Sequence, residues 1–469
     1  PAIQRELNLS NSLSQWVINA YLLALSAIIL LGGKIGDRLG HKRAFLAGVI
    51  VFITASTLAA LAESGAWLIT ARAIQGIGAA FMMPSTNALV TNAFPAQERG
   101  KALGIYIALA TIFLALGPLL GGFLTQVFSW RAVFWINFPI ALISIILAIS
   151  SVPTWRRREK LNIDYLGFFI SVIFISGFVL GFMEAPNWGW TSLPIMGLFL
   201  LSIISLITFI GWEKKIPHPL VELTLFKNLT FTTLFSVLLI IQAVAIVFVF
   251  LAIFLQNVLH YSPLMAGLLL LPAMVPIMLM APVGGHLRDK YGPTLPMFCG
   301  ALLVVLSLIW IAIFSHNRGY AWLFPGLLVY GIGMPLILSG IMATVMNMVN
   351  AQQRGMASAI FNCARQFGNT IGLALLTGLL ASVNKWQLNS FLHHSPVPLS
   401  RLKEQQIDGL LVQSDQAMKA IAHLSLAHIE LLKTAALNAY TNAFSMTLLA
   451  AAILAFLSLF LILKIPRKQ

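Results

Sequence analysis

An all-α membrane protein is what this sequence predicts, and three observations carry that prediction. Charge is scarce, apolar runs reach membrane-spanning length, and basic residues gather in alternate connections. Of 469 residues, 59% are hydrophobic and only 9% charged, with mean hydropathy +0.89. A soluble globular chain carries about 25% charged residues, because its surface must meet water. Lipid accepts the composition seen here, and only helices or closed barrels satisfy their backbones in it. Long Leu/Ile/Phe runs without a period of two exclude the barrel.

A spanning helix needs about 20 apolar residues. Thirteen such runs occur, at 15–33, 44–62, 67–93, 101–127, 131–152, 163–184, 193–212, 230–257, 264–286, 293–314, 321–349, 355–383 and 441–463. None has the pattern of a cleavable signal peptide. Lys and Arg gather at 34–43, 99–101, 156–160, 214–227, 288–290, 354 and 464–468, whereas the opposite short connections hold Arg5, Arg131 and Arg318. The positive-inside rule places the first set, and with it the C-terminus, in the cytoplasm. The net charge of +15 is then a topology signal and a set of lipid-headgroup contacts. It is no nucleic-acid footprint, because no basic soluble domain exists to carry one. The longest connection, 384–440, has amphipathic stretches at Leu402–Leu411 and Met418–Leu437 that predict a helical hairpin on the outer face. It would cap the exit, dock a partner or act as a spacer. Cys299 and Cys363 fall inside spans, so no disulfide framework is indicated.

An internal repeat organises the chain. Gly33-Lys34-Ile35-Gly36-Asp37-Arg38-Leu39-Gly40 recurs 252 residues later as Gly285-His286-Leu287-Arg288-Asp289-Lys290-Tyr291-Gly292. Gln75-Gly76-Ile77-Gly78 returns as Tyr330-Gly331-Ile332-Gly333, and Ala96-Gln97-Glu98-Arg99-Gly100 as Ala351-Gln352-Gln353-Arg354-Gly355, both 255 residues later. Two copies of one module are a common transporter plan. Spans six and seven have no partner in the repeat, and the first copy is one helix short of the second. The expected design is therefore two six-helix bundles related by a pseudo-two-fold, plus two linking helices, with the first helix preceding Pro1. The units are an N-terminal bundle at 1–160, the linkers at 161–228 and a C-terminal bundle at 229–469.

Polar residues inside spans are expensive and mark function. Asp37, beside Arg38 and Arg43 at a helix end, would pair across the bundle or with a neighbouring helix N-terminus; the alternative is a solvated charged turn, which the recurrence at Asp289 disfavours. Arg72 shares a helical face with Gln75 and Gly76, while the repeat places Leu327 opposite it. Either it serves an inward polar stripe or it snorkels to headgroups. Arg365 lies deep in its span with Ser358, Asn362, Gln366 and Asn369 near the same face, and should line a water-filled cavity or join an interhelical network. Gly117-Pro118 with Gly121-Gly122 interrupts a span and suggests a bend, with close packing as the alternative. Trp16, Asn19, Met82, Gln242 and Gln256 are further cavity candidates, suited to hydrophobic, aromatic or weakly polar cargo. No Asp or Glu lies deep within any span.

The loop Gly33–Arg43 resembles the G-x-L-x-D-R-x-G-R-R signature of the major facilitator superfamily, with Ile35 for Leu and His41 for Arg. Leu68-x3-Arg72-x2-Gln75-Gly76-x-Gly78 is similar to a signature tied to proton coupling, and Gly117-Pro118-x2-Gly121-Gly122 to the antiporter signature, with Phe113 where an upstream glycine is expected. Trp130-Arg131…Phe134-x2-Asn137-x-Pro139 and Gln15-Trp16…Tyr21-Leu22 resemble the fourteen-helix drug:proton antiporters of bacteria. That resemblance implies a multi-pass transporter of the bacterial inner membrane that exports lipophilic, drug-like small molecules in exchange for protons. It assigns gating to Gly33, Asp37, Arg38, Gly40, Arg43, Gly285, Asp289 and Gly292, and gives Arg72 the modulation of an acidic partner's protonation. In the resembled family a carboxylate commonly sits on the first helix, here the one expected before Pro1. The proton gradient stands as energy source, with no cofactor or metal, and a periplasmic adaptor with an outer-membrane channel stays open. The rival cargo is an endogenous metabolite or siderophore. A membrane enzyme finds no support in any H-E-x-x-H or Ser/His/Asp grouping at membrane level, and a sensor would carry a soluble output domain.

Overall fold

The computed structural model describes residues 3, 6–7, 11–95, 98–151, 164–217, 219–394 and 426–465. Among them, sixteen α-helices and no strand form. In chain order these are α1 Asn11–Leu39, α2 His41–Ala60, α3 Gly65–Ala93, α4 Arg99–Val127, α5 Ala132–Trp135, α6 Asn137–Ser151, α7 Tyr165–Trp188 and α8 Leu193–Glu213. After the short 3₁₀ turn Leu223–Lys227 come α9 Leu229–Ala245, α10 Val247–Asn257, α11 Pro263–Leu269, α12 Leu271–Tyr291, α13 Thr294–Phe314, α14 Tyr320–Met348, α15 Arg354–His394 and α16 Leu426–Leu463. Eleven stretches are long and apolar enough to cross a bilayer. The two further predicted runs, 101–127 and 264–286, are helical as α4 and as α11 with α12.

Local chemistry starts the helices. Ser64, Asp164, Asn228 and Ser262 each accept a backbone N–H from the first turn that follows, as N-caps do. Gly40 and Gly292, the last residues of the two motif copies, have φ of 95° and 81°. That region excludes most side chains, so glycine is required where α1 turns into α2 and α12 into α13.

The repeat is visible in the packing. α1 lies against α15 and α4 against α12, so each motif-bearing helix crosses to the opposite half. The α1–α15 contact is close: a Cβ on Gly33 would stand 2.5 Å from the Gly355 carbonyl oxygen. Small residues permit such approach where lipid supplies no hydrophobic drive. The linkers α7 and α8 pack on each other, and α7 lies beside α1 and α15. There Phe174 and Phe178 meet Phe367 at ring separations of 5.8 and 5.2 Å. At the basic end, the chain after α8 is strapped down: Lys34 donates to the Pro219 carbonyl, the Gln353 amide to Glu222, and Val221 N–H to Glu213 at 3.2 Å.

One expectation is corrected, and another falls mostly outside the described residues. The run at Gly117–Gly122 does not interrupt its span, since α4 is continuous from Arg99 to Val127. Among the described residues nothing packs closely there, since a Cβ on Gly117 or Gly121 would meet none of them within 4 Å. In the second half, Gly368 and Gly372 seat α9, with Cβ positions 2.3 and 2.4 Å from the Leu239 and Ala243 carbonyls. At the Gly117 register no described helix does the same for α4, where Phe113 is exposed, although Gly104 lower down α4 is pressed against Ala281 of α12. The helix breaks fall instead at Ile136, Ile246 and Leu270. The expected hairpin lies mostly outside the described residues. Of connection 384–440, residues 384–394 continue α15 and 426–440 begin α16.

At the far end from the basic connections, Glu6 accepts from Trp130 Nε1 at 2.7 Å and from Arg131, whose other guanidinium nitrogen donates to the Ala62 carbonyl at 3.0 Å. The Arg131 guanidinium lies 4.3 Å from the Trp130 ring. Asn137 donates to Ser56, which donates to the Phe134 carbonyl, so the Trp130–Asn137 motif ties α2 to the turn between α4 and α6. The Arg131 and Trp130 hydrogen bonds hold the Glu6 carboxyl below its ordinary value of 4.5. A depressed carboxylate contributes stability above that value and loses it as pH falls. Thermal melts should therefore show Glu6→Gln less stable than wild type at pH 7, with the difference shrinking as pH falls below the ordinary carboxylate range; an unchanging difference would refute the pairing.

Candidate functional site

The two halves are joined at the basic end by polar contacts that follow the repeat. Both Asp37 carboxylate oxygens accept backbone N–H groups of the opposite half, from Gly355 at 2.8 Å and Met356 at 2.7 Å. These are first-turn donors of α15, where the helix dipole also favours an anion. His41 Nε2 stands 3.3 Å from the same carboxylate. Arg99 donates to Asn347 at 3.0 Å, and Arg354 donates to Asn92. Residues 92 and 347, like 99 and 354, differ by 255, so these two bonds are pseudo-symmetric copies of one latch. The offset that links the Arg99 and Arg354 motifs also links the two asparagines, and that was the signal in the sequence. Among the described residues Asp289 does not mirror Asp37: it pairs with its neighbour Arg288 at 2.9 Å, and Arg288 Nε donates to Thr344. Arg43 is exposed.

Above the latch, Asn87 of α3 donates to Ser358 of α15 at 2.9 Å, and beyond that pair a cavity of about 450 Å³ opens between the halves. Its walls come from α3, α4, α9, α10, α12, α14 and α15. Arg365 lies eleven residues beyond Arg354, roughly 16 Å up α15. Asn362, Arg365, Gln366 and Asn369 face the space together with Gln242, Tyr106, Tyr330 and a group of Met and Phe side chains. An apolar vessel with a few convergent polar groups is the usual build of a small-molecule site. Within it, Arg365 has a single hydrogen bond among the described residues, a 3.5 Å contact to the Met83 thioether.

Of the cavity candidates, Gln242, Asn362, Arg365 and Asn369 line this space, and five do not. Met82 is displaced by Met83, one residue further round α3, and packs instead near Gly48 of α2. Gln75 is fully buried under Arg72. Gln256 bonds back to the Ala252 carbonyl near the end of α10, and Trp16 and Asn19 sit near the start of α1. Residue type alone does not say which face of a helix meets the void.

Arg72 does not snorkel to solvent. Its Nε donates to the Val17 carbonyl at 3.0 Å, its Nη1 to Gln75 at 2.5 Å, and its guanidinium lies 4.4 Å from the Tyr21 ring centre. A desolvated cation–π contact is worth about 2 kcal/mol, so α1 and α3 supply the compensation that burial demands. Among the described residues its partners are a carbonyl, an amide and a ring, with no carboxylate. Leu327, its repeat counterpart, is buried in apolar core.

The sequence profile of the Major Facilitator Superfamily matches residues 1–373. The chain is 32% identical over 404 residues to the multidrug resistance protein Stp of Mycobacterium tuberculosis, covering 86% of this chain and 75% of that one. It is 31% identical over 389 residues to the tetracenomycin C resistance and export protein of Streptomyces glaucescens, covering 81% and 71%. In fold it is similar to the proton:xylose symporter XylE, with a TM-score of 0.58 at 14% identity over 99% of this chain and 90% of that one.

Each hydrogen bond to a charged group contributes about 1.5–3 kcal/mol, enough to move a two-state equilibrium by tenfold or more. Asp37→Asn should therefore raise the population with the basic end open by about tenfold, and Asp289→Asn by much less. Spin-label distances across that end, between α2 and α13, would check this; equal effects of the two substitutions would show that the docking at Gly355 carries no special weight.

Proposed function

The chain belongs to the major facilitator superfamily of membrane transporters, and from that premise we propose that it exports lipophilic, drug-like small molecules in exchange for protons. The observation that carries the reading is the cavity between two repeat-related halves that are joined at one end by repeat-related polar contacts as well as by helix packing. Breaking Asp37–Gly355 and the two Arg–Asn pairs opens that end without disturbing the packing inside either half. The site then alternates between the two sides, as repeat-built transporters do. The similarity to Stp supports a drug-like cargo. The likeness to the tetracenomycin C export protein favours a second reading, an endogenous metabolite as cargo.

In this proposal the basic end faces the cytoplasm of a bacterium, with the C-terminus on the same side. Loading occurs when the latch opens, release when it is closed. Arg72 takes the coupling role through Tyr21, which lies within electrostatic reach of both Arg72 and Arg365.

The test is proton movement in proteoliposomes holding a pH-sensitive dye, on addition of a panel of anionic, neutral and cationic lipophilic compounds to the full-length protein. At least one compound should change the internal pH in a protein-dependent way. Arg72→Ala should abolish that response while compound binding survives within about threefold. No pH change with any compound would overturn the antiport reading.

A further inference from the structure

The charge of the cargo can be read from the cavity itself, given the transport reading above. Among the described lining residues Arg365 is the one charged side chain, and no Asp or Glu shares the walls with it. It lies deep in a membrane-spanning helix, half-buried, and its one hydrogen bond among the described residues is the weak Met83 thioether contact. An ammonium or guanidinium in hydrocarbon is normally matched by a carboxylate or a carbonyl. The other interior arginine is matched: Arg72 has the Val17 carbonyl, the Gln75 amide and the Tyr21 ring. Arg365 keeps its donors for the void.

The groups around it are of the same kind. Asn362, whose amide donates to Ser358, precedes it along α15, Gln366 and Asn369 follow it, and Tyr106 stands within electrostatic reach from α4. Side-chain amides and a phenol donate to an oxyanion as readily as they solvate a neutral group. The repeat counterpart of Arg365 is Ala110, which also lines the cavity. The charge therefore occurs in one copy only, while the other copy carries a small apolar residue at that position. Phe248 and Phe361, with the Met side chains of α12 and α14, provide the apolar surface for a ring system.

We propose that Arg365 is the counter-ion of a lipophilic anion, so that the cavity selects carboxylates or comparable oxyanions attached to an aromatic body over lipophilic cations. Guanidinium recognises a carboxylate bidentately, and in a low-dielectric cavity the same charge repels a cation of equal size.

Binding to the full-length protein in nanodiscs decides the matter, with pyrenebutyrate and pyrenebutylammonium as probes of one size and opposite charge. Empty nanodiscs correct for partition into lipid. Wild type should bind the carboxylate at least about tenfold more tightly than the ammonium compound, the factor expected for one charge-assisted hydrogen-bonded pair. Arg365→Gln should weaken pyrenebutyrate by about tenfold and leave the ammonium probe unchanged or tighter. Arg365→Lys should retain most of the preference. Equal affinities in wild type, a preference for the cation, or an anion preference that survives Arg365→Gln would each overturn the proposal. If Arg365→Gln does not fold, the wild-type comparison and Arg365→Lys still decide it. The readout is binding, so a failure of proton coupling in liposomes leaves this test intact and is distinguished from it.

Discussion

Lipid tails are as apolar as leucine, so nothing hydrophobic pulls one helix of this protein onto another. Association has to come from backbone proximity and from polar contacts, and the structure shows both at the join between the halves. Gly33 brings α1 against Gly355, and the same approach puts Asp37 over the first N–H groups of α15. The left-handed Gly40 then turns the chain so that His41 reaches the carboxylate. One tight helix crossing thus creates the ionic contact, and the contact holds the basic end shut beneath the cavity.

The pseudo-two-fold is followed faithfully by the scaffold and broken where chemistry is done. Arg99–Asn347 and Arg354–Asn92 are copies, and Gly40 and Gly292 both take positive φ. Arg72 faces Leu327 across the repeat, Arg365 faces Ala110, and Asp37 docks on a helix terminus while Asp289 pairs with its own neighbour. A charge inside a membrane is costly to bury. It is kept in the copy where it has a task and is absent from the other.

Several assignments reached the right helix and the wrong face. Met82 and Met83 are equally apolar, but only Met83 meets the cavity. A step of one residue rotates a side chain by about 100°, and in a span apolar all round no periodic pattern marks which side is inward. Gln75 is polar and interior, yet its amide is taken by Arg72. The stripe Asn362, Arg365, Gln366, Asn369 was legible because four polar residues along one region of a span have no other tolerable destination. The motif glycines show a similar limit: Gly33 and Gly372 are pressed against neighbouring backbone, whereas Gly117, equally suited to it by type, meets nothing among the described residues.

Composition and periodicity were enough to determine that this is a helical membrane protein, where its spans run, and that it holds two copies of one module. Those properties are set by each segment's own partition between water and lipid, and a segment carries that information without its neighbours. The tertiary structure alone decided which glycine is a contact, which methionine sees the void, that Asp37 is answered by two backbone amides 318 and 319 residues away, and that Arg365 stands without a carboxylate on the cavity wall. Those are properties of two surfaces brought together. Neither surface encodes the other's register, because side-chain identity specifies what can interact and only the assembled helices specify what does.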